Sequence, residues 1–122
     1  MNRSRFERLV AEALDSLPPE IQDKMENVEV VIKPRPSRAE ARRMGLRRGE
    51  TLYGLYEGVP LTERTSRYGL VLPDKITIYQ RPIEACCRNA DEVRGLIRRV
   101  VMHEVGHHFG ISDGRLRQLD AY

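Results

Sequence analysis

All three histidines of the chain fall within six consecutive positions, in the run Met102-His103-Glu104-Val105-Gly106-His107-His108-Phe109. On a helix, His103 and His107 stand four residues apart, one above the other on a single face, so two imidazole nitrogens can point at one cation. Glu104 is one residue on, roughly 100° around the helix, where its carboxylate lies beside that cation rather than on it. Two neutral nitrogen donors with an adjacent carboxylate suit zinc-assisted hydrolysis. Bound zinc lowers the pKa of a water to about 7 and polarises a carbonyl, and the carboxylate carries the proton to a leaving amine.

A catalytic zinc keeps three protein ligands and one open position. Downstream of His107 the acidic residues are Asp113 and Asp120, while His108 is turned away from the face shared by His103 and His107. Gly110 lets the chain leave the helix in a left-handed turn, which brings a residue three positions later back toward the ion and favours Asp113. The full pattern is then H-E-x-x-H-x-x-G-x-x-D.

The helix that must carry this motif opens with Asn89 and Glu92, an N-cap pair, and continues through Val93, Leu96, Ile97, Val100, Val101, Val105 and Phe109 at helical spacing, with Gly110 at its stop. Upstream, Ser4-x-x-Glu7 reads as a capping box before Phe6, Leu9, Val10, Ala13, Leu14 and Leu17, an amphipathic first helix. Pro18 and Pro19 end it and allow a short second helix through Met25. Val28, Val30 and Ile32 alternate with Glu29, Val31 and Lys33 as a strand that Pro34 closes. A second strand is expected over 51–56 and a third over Lys75–Gln80, the latter flanked by Pro73 and Pro82 in a way that suits a sheet edge. Ser112 to Tyr122 makes a short terminal helix. The stretch 57–74 reads as a long loop that lines or covers a site, and the arginine-rich stretch from Arg35 to Arg48 as a solvated loop, with a phosphate or acidic-substrate patch as the alternative.

With 122 residues, 40% apolar and 32% charged, the chain suits one folded domain over 1–122. Apolar residues never run beyond three in succession and the start is charged, so no membrane span or signal core is expected and the chain reads as cytoplasmic. The formal charge of +3 is too mild to demand a nucleic-acid partner. Cys86 and Cys87 are adjacent, which seldom permits a disulfide, and they lack zinc-ligand spacing.

Together these features resemble the zincin-like metallopeptidases, and within them the minimal bacterial zincin-like proteins. The resemblance runs through the opening helix to Pro18, Leu55-Tyr56-Glu57-Gly58, the region from Leu72-Pro73 to Pro82, and His103 through Leu119. It implies an α+β fold: a small mixed sheet of three to four strands packed on an active-site helix, with an N-terminal helix and a short C-terminal helix. It also implies zinc held by His103, His107 and Asp113, with Glu104 as general base. A peptide or unfolded protein segment would be held by strand addition along Ile76, Thr77, Ile78 and Tyr79. Met102 precedes the first ligand, so the methionine turn of larger zincins is absent, and no glutamate follows Glu104 to act as a distant third ligand. Few residues remain to wall a cleft, so a partner chain could complete it. Tyr56 and Tyr79 are candidate oxyanion donors. A metal-dependent RNA hydrolase is the rival reading, because rRNA-maturation endoribonucleases use a similar helix; Glu104 argues for peptide instead. A non-catalytic metal- or peptide-binding protein is the third.

Overall fold

A computed structural model describes residues 1–47, 52–59 and 72–120. Helix α1 (Arg3–Asp15) buries Phe6, Leu9, Val10 and Ala13, the stripe its periodicity predicts. Its cap is Asn2, whose Oδ1 accepts from the Arg5 N–H at 2.8 Å, not Ser4. Asparagine caps as well as serine, so the helix gains half a turn, and Glu7 pairs with Arg3 instead of closing a box. Pro18 and Pro19 open α2 (Pro19–Lys24), which buries Ile21. Strand β1 (Val28–Lys33) follows as expected.

The arginine-rich stretch is not simply a loop. Residues Arg38–Arg43 form α3, started by a reciprocal capping box between Ser37 and Glu40 and ended at Gly45, where φ is +67°. Glu40 is buried and accepts from the Tyr79 hydroxyl at 2.6 Å, with Lys33 Nζ 3.5 Å away. Burial alone would raise its pKa. The Ser37 backbone, the Tyr79 and Ser37 side chains and the Lys33 charge more than offset this and bring it to about 2.

Strand β2 (Gly54–Glu57), strand β3 (Asp74–Tyr79), a short helix α4 (Gln80–Ala85), the long helix α5 (Ala90–His108) and α6 (Asp113–Asp120) complete the described elements. Residues 48–51, 60–71 and 121–122, and with them the start of the expected second strand, most of the 57–74 loop and the chain end, lie outside the described residues. The sheet is mixed, in the order β1-β3-β2, with β1 parallel and β2 antiparallel to β3.

The expected edge strand is therefore the centre of the sheet. Pro73 and Pro82 both fall outside the paired span, Pro82 in the first turn of α4 where an N–H has no intrahelical partner anyway, so neither blocks a ladder. Ile76, Thr77, Ile78 and Tyr79 are all 0% exposed, the burial on both faces that marks a central strand. They cannot take a peptide by strand addition, because β1 and β2 already occupy both sides.

Register places Val30 beside Ile76, Ile32 beside Ile78, and Gly54 and Tyr56 opposite Ile78 and Ile76, all on one face. That face packs against α1 and α5, whose Val93, Ile97, Val101, Met102 and Val105 fill the core with Phe6, Leu9 and Ile21. Gly54 permits the approach: a Cβ there would lie 2.6 Å from Val100 Cγ1 and 3.2 Å from the Thr77 carbonyl. Among the described residues no helix is long and apolar enough to cross a membrane.

Candidate metal centre

Asn89 caps α5 by accepting from the Glu92 N–H at 2.9 Å, as the sequence predicts, and the buried stripe from Val93 to Val105 sets the helix's rotation. His103 and His107 therefore sit on its exposed side, ring centroids 5.9 Å apart, while Glu104 is half-buried between them and β2.

The turn after the helix is a double C-cap. Gly110 has φ +72°, its N–H donates to the His107 carbonyl at 3.3 Å, and the Ile111 N–H donates to the Gly106 carbonyl at 2.8 Å. Ser112 then caps α6, accepting from the Arg115 N–H at 3.1 Å, so Asp113 is the first helical residue. Leu116 clamps α6 onto α5 over Gly106, where a Cβ would lie 2.7 Å from Leu116 Cδ1. The outcome is that Asp113 Oδ1 stands 3.4 Å from His107 Nε2.

One ligand atom each from His103, His107 and Asp113 lies within 4.8 Å of the others. A tetrahedral ion with bonds of about 2.0–2.1 Å needs ligand atoms roughly 3.4 Å apart. The His107–Asp113 separation already has that value. Two imidazoles and one carboxylate on the solvent side, with no fourth protein donor in the group, are a donor set that fits zinc with an open position. Asp120, the other downstream acid, is paired with Arg98.

Glu104 Oε1 accepts from the Tyr56 peptide N–H at 3.2 Å. Burial pushes its pKa up, the direction a general base needs, against the opposing pull of the Tyr56 N–H and of His107 and His103. The Tyr79 N–H donates to the Tyr53 carbonyl at 3.0 Å, so in the alternating antiparallel ladder Gly54 and Tyr56 turn their peptide groups to the side of β2 away from β3. The base thus touches β2 on the side that no strand among the described residues pairs with.

Neither tyrosine singled out as an oxyanion donor is free for that role. Tyr79 is buried on the far face and donates to Glu40. The Tyr56 hydroxyl donates to Asp74 Oδ2 at 2.7 Å, and its ring stacks on His108 with centroids 4.1 Å apart.

Asp74 is a site-supporting residue that motif reading did not find. Its carboxylate is buried, accepts from the Val59 N–H at 2.9 Å as well as from Tyr56, and lies 3.7 Å from His108 Nε2. It ties β2, β3 and the end of α5 together. Only its place directly after Pro73, at a strand start, hinted at it. Beside His103 and Glu104 lies a cavity of about 380 Å³, walled by Leu52, Gly54, Leu96, Val100 and Arg99.

The model of the family described as zincin-like metallopeptidase matches residues 25–122. Among curated proteins none matches. A solved structure, a conserved hypothetical protein from Thermo thermophilus, is similar at a TM-score of 0.57 and 19% identity, covering 93% of this chain and 99% of that one. At that identity the likeness speaks for the fold alone. With a family match over most of its length, and a helix-borne histidine pair, a carboxylate and an aspartate gathered as described, the chain belongs to the zincin-like metallopeptidase family.

Proposed function

We propose that this protein is a zinc-dependent peptidase that hydrolyses short peptides or unfolded protein segments. His103, His107 and Asp113 hold the metal, and Glu104 is the general base. Zinc in such a donor set supplies Lewis acidity, making a water easier to deprotonate and a carbonyl carbon easier to attack. Glu104 takes a proton from the attacking water as oxygen bonds to the carbonyl carbon, then gives it to the amide nitrogen as the C–N bond breaks; the water's second proton follows to the amine, leaving a carboxylate and an ammonium group.

The convergence of three ligand atoms within 4.8 Å beside a carboxylate that contacts the backbone of β2 carries this reading. The Gly54 peptide group, on the side of β2 turned away from β3, offers an extended substrate backbone hydrogen bonds near the base, so β2 takes the docking role expected of the Ile76–Tyr79 segment.

The test is a zinc titration of purified protein followed by parallel digests of a peptide library and of structured and single-stranded RNA. One zinc per chain with peptide cleavage and intact RNA is the expected result. RNA cleavage with intact peptides would replace this proposal by the nuclease reading, and a chain that takes up no zinc would remove both.

A further inference from the structure

Helix α5 carries Arg94, Arg98 and Arg99 ahead of its histidine motif, and one of them stands apart. Arg94 pairs with Glu12 and Asp91, and Arg98 with Asp120. Arg99 has no hydrogen bond or ion pair among the described residues and is exposed. It precedes His103 by one helical turn, on the same face, and shares the 380 Å³ cavity with His103 and Glu104.

The cavity continues past Arg99. A second hollow of about 520 Å³ shares Tyr53, Leu96 and Arg99 with the first and runs on to Cys86 and Gly95. The guanidinium leans back along the helix: Arg99 Nη1 is 4.0 Å from where a Cβ on Gly95 would lie, an ordinary contact distance. The acidic residues at the far rim are engaged elsewhere, Asp91 with Arg94 and Glu92 with the Arg88 N–H. A cation with no ion pair among the described residues thus stands between a largely apolar hollow beside His103 and Glu104 and a more polar one that Asp91 and Glu92 also line.

We propose that Arg99 recognises a carboxylate on the substrate and makes this a peptidase selective for acidic or C-terminal segments. The inference rests on the peptidase reading above and names its substrate class. Arg99 and Gly95 lie four and eight residues before His103, about 6 and 12 Å along the helix axis. An extended peptide advances about 3.3 Å per residue, so the recognised carboxylate sits roughly two to four residues from the scissile bond. An arginine fork suits a carboxylate by two parallel N–H···O bonds. An aspartate or glutamate side chain and a free α-carboxylate present the same group, and position separates them.

The experiment uses fluorescein-labelled octapeptides with Glu, Gln or Lys scanned through each position, each with a free or amidated C-terminus. Binding is read by anisotropy on zinc-loaded Glu104→Gln protein and cleavage as kcat/KM on wild type. A partly exposed charge pair predicts roughly three- to tenfold tighter binding of the acidic member at one position. That ratio should fall to about one in Arg99→Met, recover in part in Arg99→Lys, and turn toward Lys-containing peptides in Arg99→Glu. A preference for the free over the amidated terminus identifies the α-carboxylate; a preference for internal Glu identifies a side chain. Equal binding and cleavage of acidic and neutral peptides by wild type would overturn the Arg99 assignment and leave the peptidase intact. Selective binding without cleavage by wild type would overturn the peptidase reading and leave Arg99 as a carboxylate-binding residue. Unchanged ratios in all three variants would move the selectivity elsewhere.

Discussion

The Tyr56 peptide N–H and the Glu104 carboxylate, 48 residues apart in the chain, are joined by a hydrogen bond of 3.2 Å that links strand β2 to the acid beside the histidines. Without this contact Glu104 would be one more acid on a helix. With it, the carboxylate is held between β2 and the helix face that carries His103 and His107.

Glu104→Gln keeps the shape and one acceptor for the Tyr56 N–H but cannot take a proton. It should retain zinc at the wild-type stoichiometry and lose about 10²-fold or more in kcat/KM on a cleaved library peptide. Equal turnover by the variant would remove Glu104 from its role.

Asp113→Ala should weaken zinc retention by about tenfold or more in a chelator competition, because it removes one of three donors. Asp120→Asn, which breaks only the pairing with Arg98, should leave zinc affinity where it was. The reverse pattern would give Asp120 the third ligand position.

Gly106→Ala sets a methyl group 2.7 Å from Leu116 Cδ1 and pushes α6, with Asp113 at its start, away from α5. Overpacking costs about 1–3 kcal/mol, and the better helix propensity of alanine returns about 1 kcal/mol. Zinc affinity should therefore fall more than stability does, and Gly106→Ala with Leu116→Ala should recover part of the affinity. Isothermal titration with zinc beside urea unfolding reads both.

Glu40, with its pKa brought from 4.5 to about 2 in the folded chain, should make stability depend on acid. The unfolded state binds the proton more readily, so the contribution is complete above pH of about 4.5 and is lost as pH falls toward 2. Glu40→Gln should be less stable than wild type at pH 7 by about 1–3 kcal/mol, the cost of a weakened buried hydrogen-bond set. The gap should narrow in urea melts between pH 4.5 and 2. A constant gap would mean that the Tyr79–Glu40 contact does not depend on the charge.

The local features of this protein are legible in the order of its residues. The Asn89 cap, the stripe from Val93 to Val105, the left-handed turn at Gly110 and the return of Asp113 toward His107 all follow from rules that act across three to seven residues. Ser37-x-x-Glu40 is equally local, but the surrounding arginines and prolines suggest solvent and mask its capping box. Periodicity marks the individual helices and strands, and the family likeness implies the α+β class and the mixed sheet.

Which strand lies in the middle was decided only in three dimensions. Pro73 and Pro82 bound the length of β3 but carry no information about how many neighbours it has, whereas the unbroken burial of Ile76 to Tyr79 does. The same holds for Tyr56 against Glu104, Asp74 against His108 and Tyr79 against Glu40, pairs separated by tens of residues. Short-range order comes from backbone geometry and each residue's own side chain, which a sequence displays directly. Contacts between distant segments form only when their apolar faces are buried against one another, and the partner chosen depends on the packing of the whole core.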